Sequence, residues 1–256
     1  MHNFAQTNIQ LYNQMRFEGY SNEDLTCVLN AYNLAMQLFV SCFRSSGKSF
    51  IAHLVGTASI LASLHAPTEV VAAGLVHAAY EYGDFGDGKK RGISHFRRET
   101  VKHFLGQEME EYIAKYFGLS WNQNTILHSY NHLDNLTQFE RNVLLMRLAN
   151  ELEEYLDYGL IYCASVKQDF YSHHSQIMMI EMANKLGFNS LATDLENRIQ
   201  ESDTAKIPVA LRNPQAEKQS FTVVAKSYKM KLLVKVYRYL VHPFTSIIGK
   251  FITKSY

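Results

Sequence analysis

Prolines and glycines are scarce: four and thirteen in 256 residues. A turn-rich β fold needs more of both, so the scarcity favours long helices. The three cysteines, Cys27, Cys42 and Cys163, are scattered. They form no CxxC pair and no zinc-ligand spacing, so reduced thiols in a cytoplasmic protein are the expectation. No stretch reaches the ~20 apolar residues of a membrane-spanning helix. The opening MHNFAQTNIQLYNQM lacks a basic region followed by an apolar run, so a signal peptide is not expected. There is no internal repeat, no phosphate-cradling glycine loop and no nucleophile elbow. After Glu217 acidic residues are missing altogether.

What remains is apolar and helical in period. Hydrophobic residues make up 47% of the chain, enough for a sizeable core. Residues 4–18 read as a short helix, and Ser21 with Glu23 and Asp24 opens a longer one predicted to run to Phe43. Ile51, Leu54, Val55, Ala58, Leu61 and Ala62 fall on one helical face, with His53 beside it. Pro67, Thr68 and Glu69 start the next helix, predicted to continue to Tyr80 and apolar nearly all round, as a central helix should be. The loop YGDFGDGKKRG breaks it. Further helices are predicted over 97–117, 139–158, 173–186 and 190–199. The fold class is therefore all-α.

His53 and His77 stand on two consecutive predicted helices, which suggests a buried site between them. An alternative is that both are core histidines, fixed by hydrogen bonds to Asn150 or a backbone carbonyl. His128 and His132, at i and i+4, could share an ion from one helix face, but no acidic residue lies between them. His173 and His174 are adjacent and point apart.

At residues 44–80 a resemblance becomes specific. Arg44, Gly47, Phe50, Ile51 and His53 fit R-x-x-G-x-x-(F/Y)-I-x-H, and AGLVHA over 73–78 follows about twenty residues later. Together with Arg147-Leu148-Ala149-Asn150, where the pattern ends (K/R)-L-A-D, this resembles the HD-domain superfamily over roughly residues 35–157. Within it the pattern resembles the branch that includes the RelA/SpoT-type hydrolases. HLVGT, APTEV and AGLVHAAY are closer still to an uncharacterised bacterial subfamily that keeps the histidines and replaces the aspartates. The resemblance implies an HD-like helical bundle and a divalent metal on two histidines and two aspartates. Here those positions are His53, His77, Ala78 and Asn150. Alanine has no ligand atom and asparagine only a neutral oxygen, so a dication is expected to bind weakly at most, through His53 and His77. Glu81, one predicted turn beyond His77, is the carboxylate best placed to compensate; Asp84 and Asp87 are weaker candidates. The resemblance also places Arg44 beside a nucleotide, although an arginine ahead of Gly47 also suits a helix C-terminus. Lys48 joins it as a candidate ligand-binding cation and Tyr80 as a hydroxyl donor. Two functions follow: a regulatory or accessory protein that binds a small phosphorylated or nucleotide-like ligand at an eroded metal site, or an enzyme. The enzyme would be a metal-dependent phosphohydrolase, or an acid–base catalyst using His53, His77, Glu81 and Asn150.

The near-zero net charge hides two opposite parts. Residues 218–256 carry eight basic and no acidic residues, while the first 217 hold 17 basic and 24 acidic ones. Apolar and aromatic residues interleave with the cations from Tyr228 to Ile252. The expected organisation is an HD-like domain over 1–204, a linker over 205–225 and a basic amphipathic tail over 226–256. The tail's expected partner is an anionic membrane surface, as a peripheral contact through 226–254, or an acidic protein. Nucleic acid is not expected, since no binding motif accompanies the charge.

Overall fold

A computed structural model describes residues 4–162, 172–211 and 220–224. Its architecture is all-α, as predicted. The helices are α1 (Asn8–Phe17), α2 (Asn22–Phe39), α3 (Phe50–Ser63), α4 (Thr68–Gly74), α5 (Ala79–Tyr82), α6 (His95–Leu105), α7 (Gln107–Gly118), α8 (Gln123–Asn131), α9 (Gln138–Tyr155), α10 (His173–Lys185) and α11 (Asn189–Thr204). Strand is confined to Cys42–Phe43 and Phe221–Thr222 among the described residues. The contacts divide the chain into Met1–Phe221 and Thr222–Tyr256. The tail expected over 226–256 lies outside the described residues, as do residues 212–219 and 225 of the expected linker. No helix among the described residues is long and apolar enough to cross a membrane.

Local chemistry explains most helix starts. Thr7, Ser21 and Thr137 close capping boxes with Gln10, Asp24 and Glu140, and Ser49, Ser94, Asn122 and Ser172 cap other N-termini. Three predicted helices end early or break. The helix expected to reach Phe43 stops at Phe39, because Val40 is extended and Ser41 is left-handed (φ 68°). The chain then folds back on itself: Phe43 pairs with Ser49, and the Arg44 N–H donates to the Lys48 carbonyl at 2.8 Å. The helix expected through Tyr80 ends at Gly74 and gives way to a turn over 75–78. The helix expected over 97–117 is two helices joined at Gly106, whose φ of 87° and ψ of 172° lie in a region essentially reserved for glycine. Gly106→Ala should therefore destabilise the protein by about 1–3 kcal/mol, read as a lower urea midpoint at unchanged slope.

Helices α3 and α9 form the centre. Eleven of the fourteen residues of α3 are buried, and it packs on α9, α4 and α1. Along α9 burial extends around the helix and takes in Asn142, Asn150, Glu151 and Glu153. Each fully buried Leu, Ile or Val contributes roughly 1.5–3 kcal/mol. The buried carboxylates cost free energy unless paired, and their partners define the site.

Candidate functional site

His53 reaches inward from the first turn of α3, and its side chain is 1% exposed. His77 occupies the turn after α4, where its Nδ1 donates to the Gly74 carbonyl at 2.7 Å. A carbonyl only accepts, so the proton sits on Nδ1 and Nε2 keeps its lone pair. Helix α4 thus ends with a side chain holding one of its last carbonyls. The two imidazoles meet edge to face, 5.4 Å between centroids, and the ring of Tyr116 lies 4.9 Å beyond His77.

Glu153, from the last turn of α9, supplies the carboxylate that the sequence reading did not find. One oxygen meets His53 Nδ1 and the other accepts from Lys48 Nζ. Gly56 makes room for it: a Cβ there would stand 2.9 Å from Glu153 Cγ and Oε1. Burial pushes the Glu153 carboxyl up to about 7, against the opposing pull of Lys48 and Arg44. Burial also holds His53 and His77 well below the usual histidine value; Arg44, Lys48 and Arg147 add to this at His53, and His53, Arg147 and Arg44 at His77. Both imidazoles are neutral at physiological pH. Asn150 lies close enough to His53 to favour its protonated form, yet His53 Nε2 is buried without a well-formed hydrogen bond.

In front of His77 opens a cavity of about 390 Å³. His77, Ala78, Glu81 and Asn150 line it, with Arg44, Arg91 and Arg147 around them. Every one of these arginines is tied to a carboxylate of the lining: Arg44 to Glu154, Arg147 to Glu151, and Arg91 to Glu81 at 3.4 Å. Each guanidinium also lies against an aromatic ring: Arg44 at 5.3 Å from Phe50, Arg91 at 5.4 Å from Phe117, and Arg147 at 5.3 Å from Trp121. Arg147 also donates to the Tyr116 hydroxyl at 3.0 Å, and burial raises that hydroxyl to about 12. The positive charges therefore stand poised rather than free.

The structure brings His53, His77 and Asn150 together, but only His77 and Asn150 line the cavity; His53 is sealed behind them. Arg44 lines it. Lys48 does not, since its ammonium is on Glu153. Glu81 lines it on the bridge to Arg91, but His77 stands in a turn, so no shared helix face links the two. Tyr80 faces elsewhere: its hydroxyl donates to Glu110 at 2.7 Å, which also accepts from Arg98. The break after Gly74 turns Tyr80 away from the direction a continuous helix would give it. His128 and His132 stack on an exposed surface, 4.2 Å between centroids.

A dication of the kind the HD resemblance implies does not fit this donor set. Ala78 offers nothing, Asn150 is neutral and both Glu153 oxygens are engaged, so with the two Nδ1 atoms hydrogen-bonded the Nε2 atoms of His53 and His77 are the remaining donors, both uncharged. Among the described residues no three His, Cys, Asp or Glu side chains are placed to hold an ion.

The sequence reading missed Glu151, Glu153, Glu154, Arg91, Tyr116 and Trp121. One signal was available: two consecutive glutamates in the last turn of α9, where the helix dipole disfavours negative charge unless cations meet it.

Comparison with known proteins finds a family described as a domain of unknown function (DUF6817), whose sequence model matches residues 37–120. No curated protein matched significantly. Among solved structures, a metazoan ortholog of SpoT, described as hydrolyzing ppGpp, is similar at 15% identity over 71% of this chain and 96% of that one, with a TM-score of 0.43.

Proposed function

We propose that this chain is an HD-like protein with an eroded metal site, which binds a small phosphorylated or nucleotide-like ligand in front of His77 in a regulatory or accessory role. The observation that carries the reading is the set of three guanidiniums around one cavity, each on an aromatic ring and each held by an exchangeable carboxylate. Phosphate oxygens match the planar fork of arginine, and a charge-assisted hydrogen bond contributes roughly 1.5–3 kcal/mol. Tyr116, Phe117 and Trp121 add faces on which a base can stack. The enzyme reading draws on the neutral His77, whose Nε2 can accept a proton from a bound group.

Calorimetric titration with ADP, GDP and pyrophosphate in chelator tests the proposal. Saturable binding is expected without metal. Arg91→Gln, at a side chain 64% exposed, should weaken it roughly 10- to 100-fold while leaving the fold intact. Absence of binding to all three would remove the ligand reading. Phosphate release lost in His77→Gln would move the chain to the enzyme class.

A further inference from the structure

Of the cavity's two inner arginines, Arg147 rides on α9, but Arg44 stands outside any helix, directly after the short strand Cys42–Phe43. Its position therefore has to come from the turn around it. Gly47 (φ 90°) bends the chain there; its N–H donates to the Arg44 carbonyl at 2.9 Å, and the Arg44 N–H donates to the Lys48 carbonyl at 2.8 Å. The turn sends two cations to the end of α9, Arg44 to Glu154 and Lys48 to Glu153. Successive side chains of an extended segment point to opposite faces, so Phe43 faces away from the cavity that Arg44 lines. On that outer face lies Phe221, from the far end of the same compact unit, Met1–Phe221. Its ring stacks on Phe43, 5.6 Å between centroids and 18° between planes.

We infer that Phe221 is a clasp on this turn: by pinning Phe43 from outside it keeps Arg44 turned into the cavity, and so acts as a positioning residue of the ligand site. The Phe43–Ser49 bridge and the Arg44–Lys48 bond close the turn on itself and tie it to the start of α3. Those bonds survive if the turn swings as a unit. The stacked ring opposes the swing, because any movement of Phe43 that withdraws Arg44 from Glu154 also parts the two rings. The effect on affinity rests on the ligand reading above; the placement of Arg44 does not.

The test uses the full-length chain. Amide exchange read by mass spectrometry follows the segment 42–49 without ligand. Phe221→Ala should speed its exchange roughly 3- to 10-fold, the scale of one aromatic pair, and leave α10 unchanged. Calorimetry with ADP in chelator should show an affinity loss of similar size. Phe221→Tyr, which keeps the ring, should restore both. In an Arg44→Gln background Phe221→Ala should cost no further affinity, because Phe221 acts through Arg44; a merely structural role would cost the same in both backgrounds. Unchanged exchange over 42–49 would overturn the inference whether or not a ligand binds, and so would equal affinity losses in the two backgrounds. Wild type that binds none of ADP, GDP and pyrophosphate would remove the ligand reading instead, and exchange would still decide the clasp.

Discussion

Arg97→Ala should lower the unfolding free energy by about 1.5–3 kcal/mol, the range for hydrogen bonds made by a charged group. The Arg97 side chain is 0% exposed. Its Nε and Nη2 donate to the two Asp87 oxygens, each at 2.8 Å, Nη1 donates to the Gly92 carbonyl at 3.0 Å, and the guanidinium lies 4.9 Å from Phe85. One side chain thus gathers the glycine-rich loop that carries Arg91 to the cavity. Hydrogen bonding to Arg97 holds the Asp87 carboxyl well below the usual carboxylate range. Arg97→Lys should not rescue, because a single ammonium cannot reach both Asp87 oxygens and the Lys89 and Gly92 carbonyls as the planar fork does. Ligand affinity should fall with stability, since Arg91 loses its placement. Chemical denaturation checks the first effect. A variant within about 1 kcal/mol of wild type would show that the loop is held by other contacts.

Acid should destabilise the protein, and Glu153→Gln should steepen the dependence. His53 and His77 have depressed values, so each contributes stability that is present above 6.5 and lost as pH falls. Glu153 has a raised value, about 7 against an ordinary 4.5, so its contribution is fully present below 4.5 and lost as pH rises through 7. Between these limits the unfolded chain gains two protons on the histidines, while the folded chain gains one on Glu153. The two histidines therefore outweigh the carboxyl, and the site loses stability as pH falls below 6.5. Glu153→Gln removes the offset and should steepen that slope. His77→Gln should flatten it. Denaturant midpoints across pH 5–7 decide; equal slopes in the three proteins would mean that this trio does not titrate as its burial requires.

The helices were legible because their signals are local. Caps at Thr7, Ser21 and Thr137 and apolar faces of period 3.6 do not depend on distant residues. Breaks were harder. Gly106 could be read as a tolerated helical glycine until its positive φ was seen. Nothing in AGLVHAAY reveals that the His77 ring closes the helix on Gly74, and that closure moved Tyr80 from the cavity to Glu110. At the site the two histidines were legible from their place on successive elements. Their charge environment was not, because Lys48 and Glu153 stand 105 residues apart and meet only when α3 packs on α9. The HD-like pattern points to a carboxylate near His77; the fold instead places one, Glu153, on His53 and Lys48.

Trp121 is the chain's single tryptophan, and it lies in the cavity wall over Arg147. Its emission therefore reports on the claim that three arginines there receive a phosphorylated ligand. Titrated with ADP in chelator, wild type should show a saturable change in Trp121 emission. Arg91→Gln should shift the midpoint roughly 10- to 100-fold higher. Emission that does not change with ADP, GDP or pyrophosphate, or a midpoint indifferent to Arg91→Gln, would contradict the account.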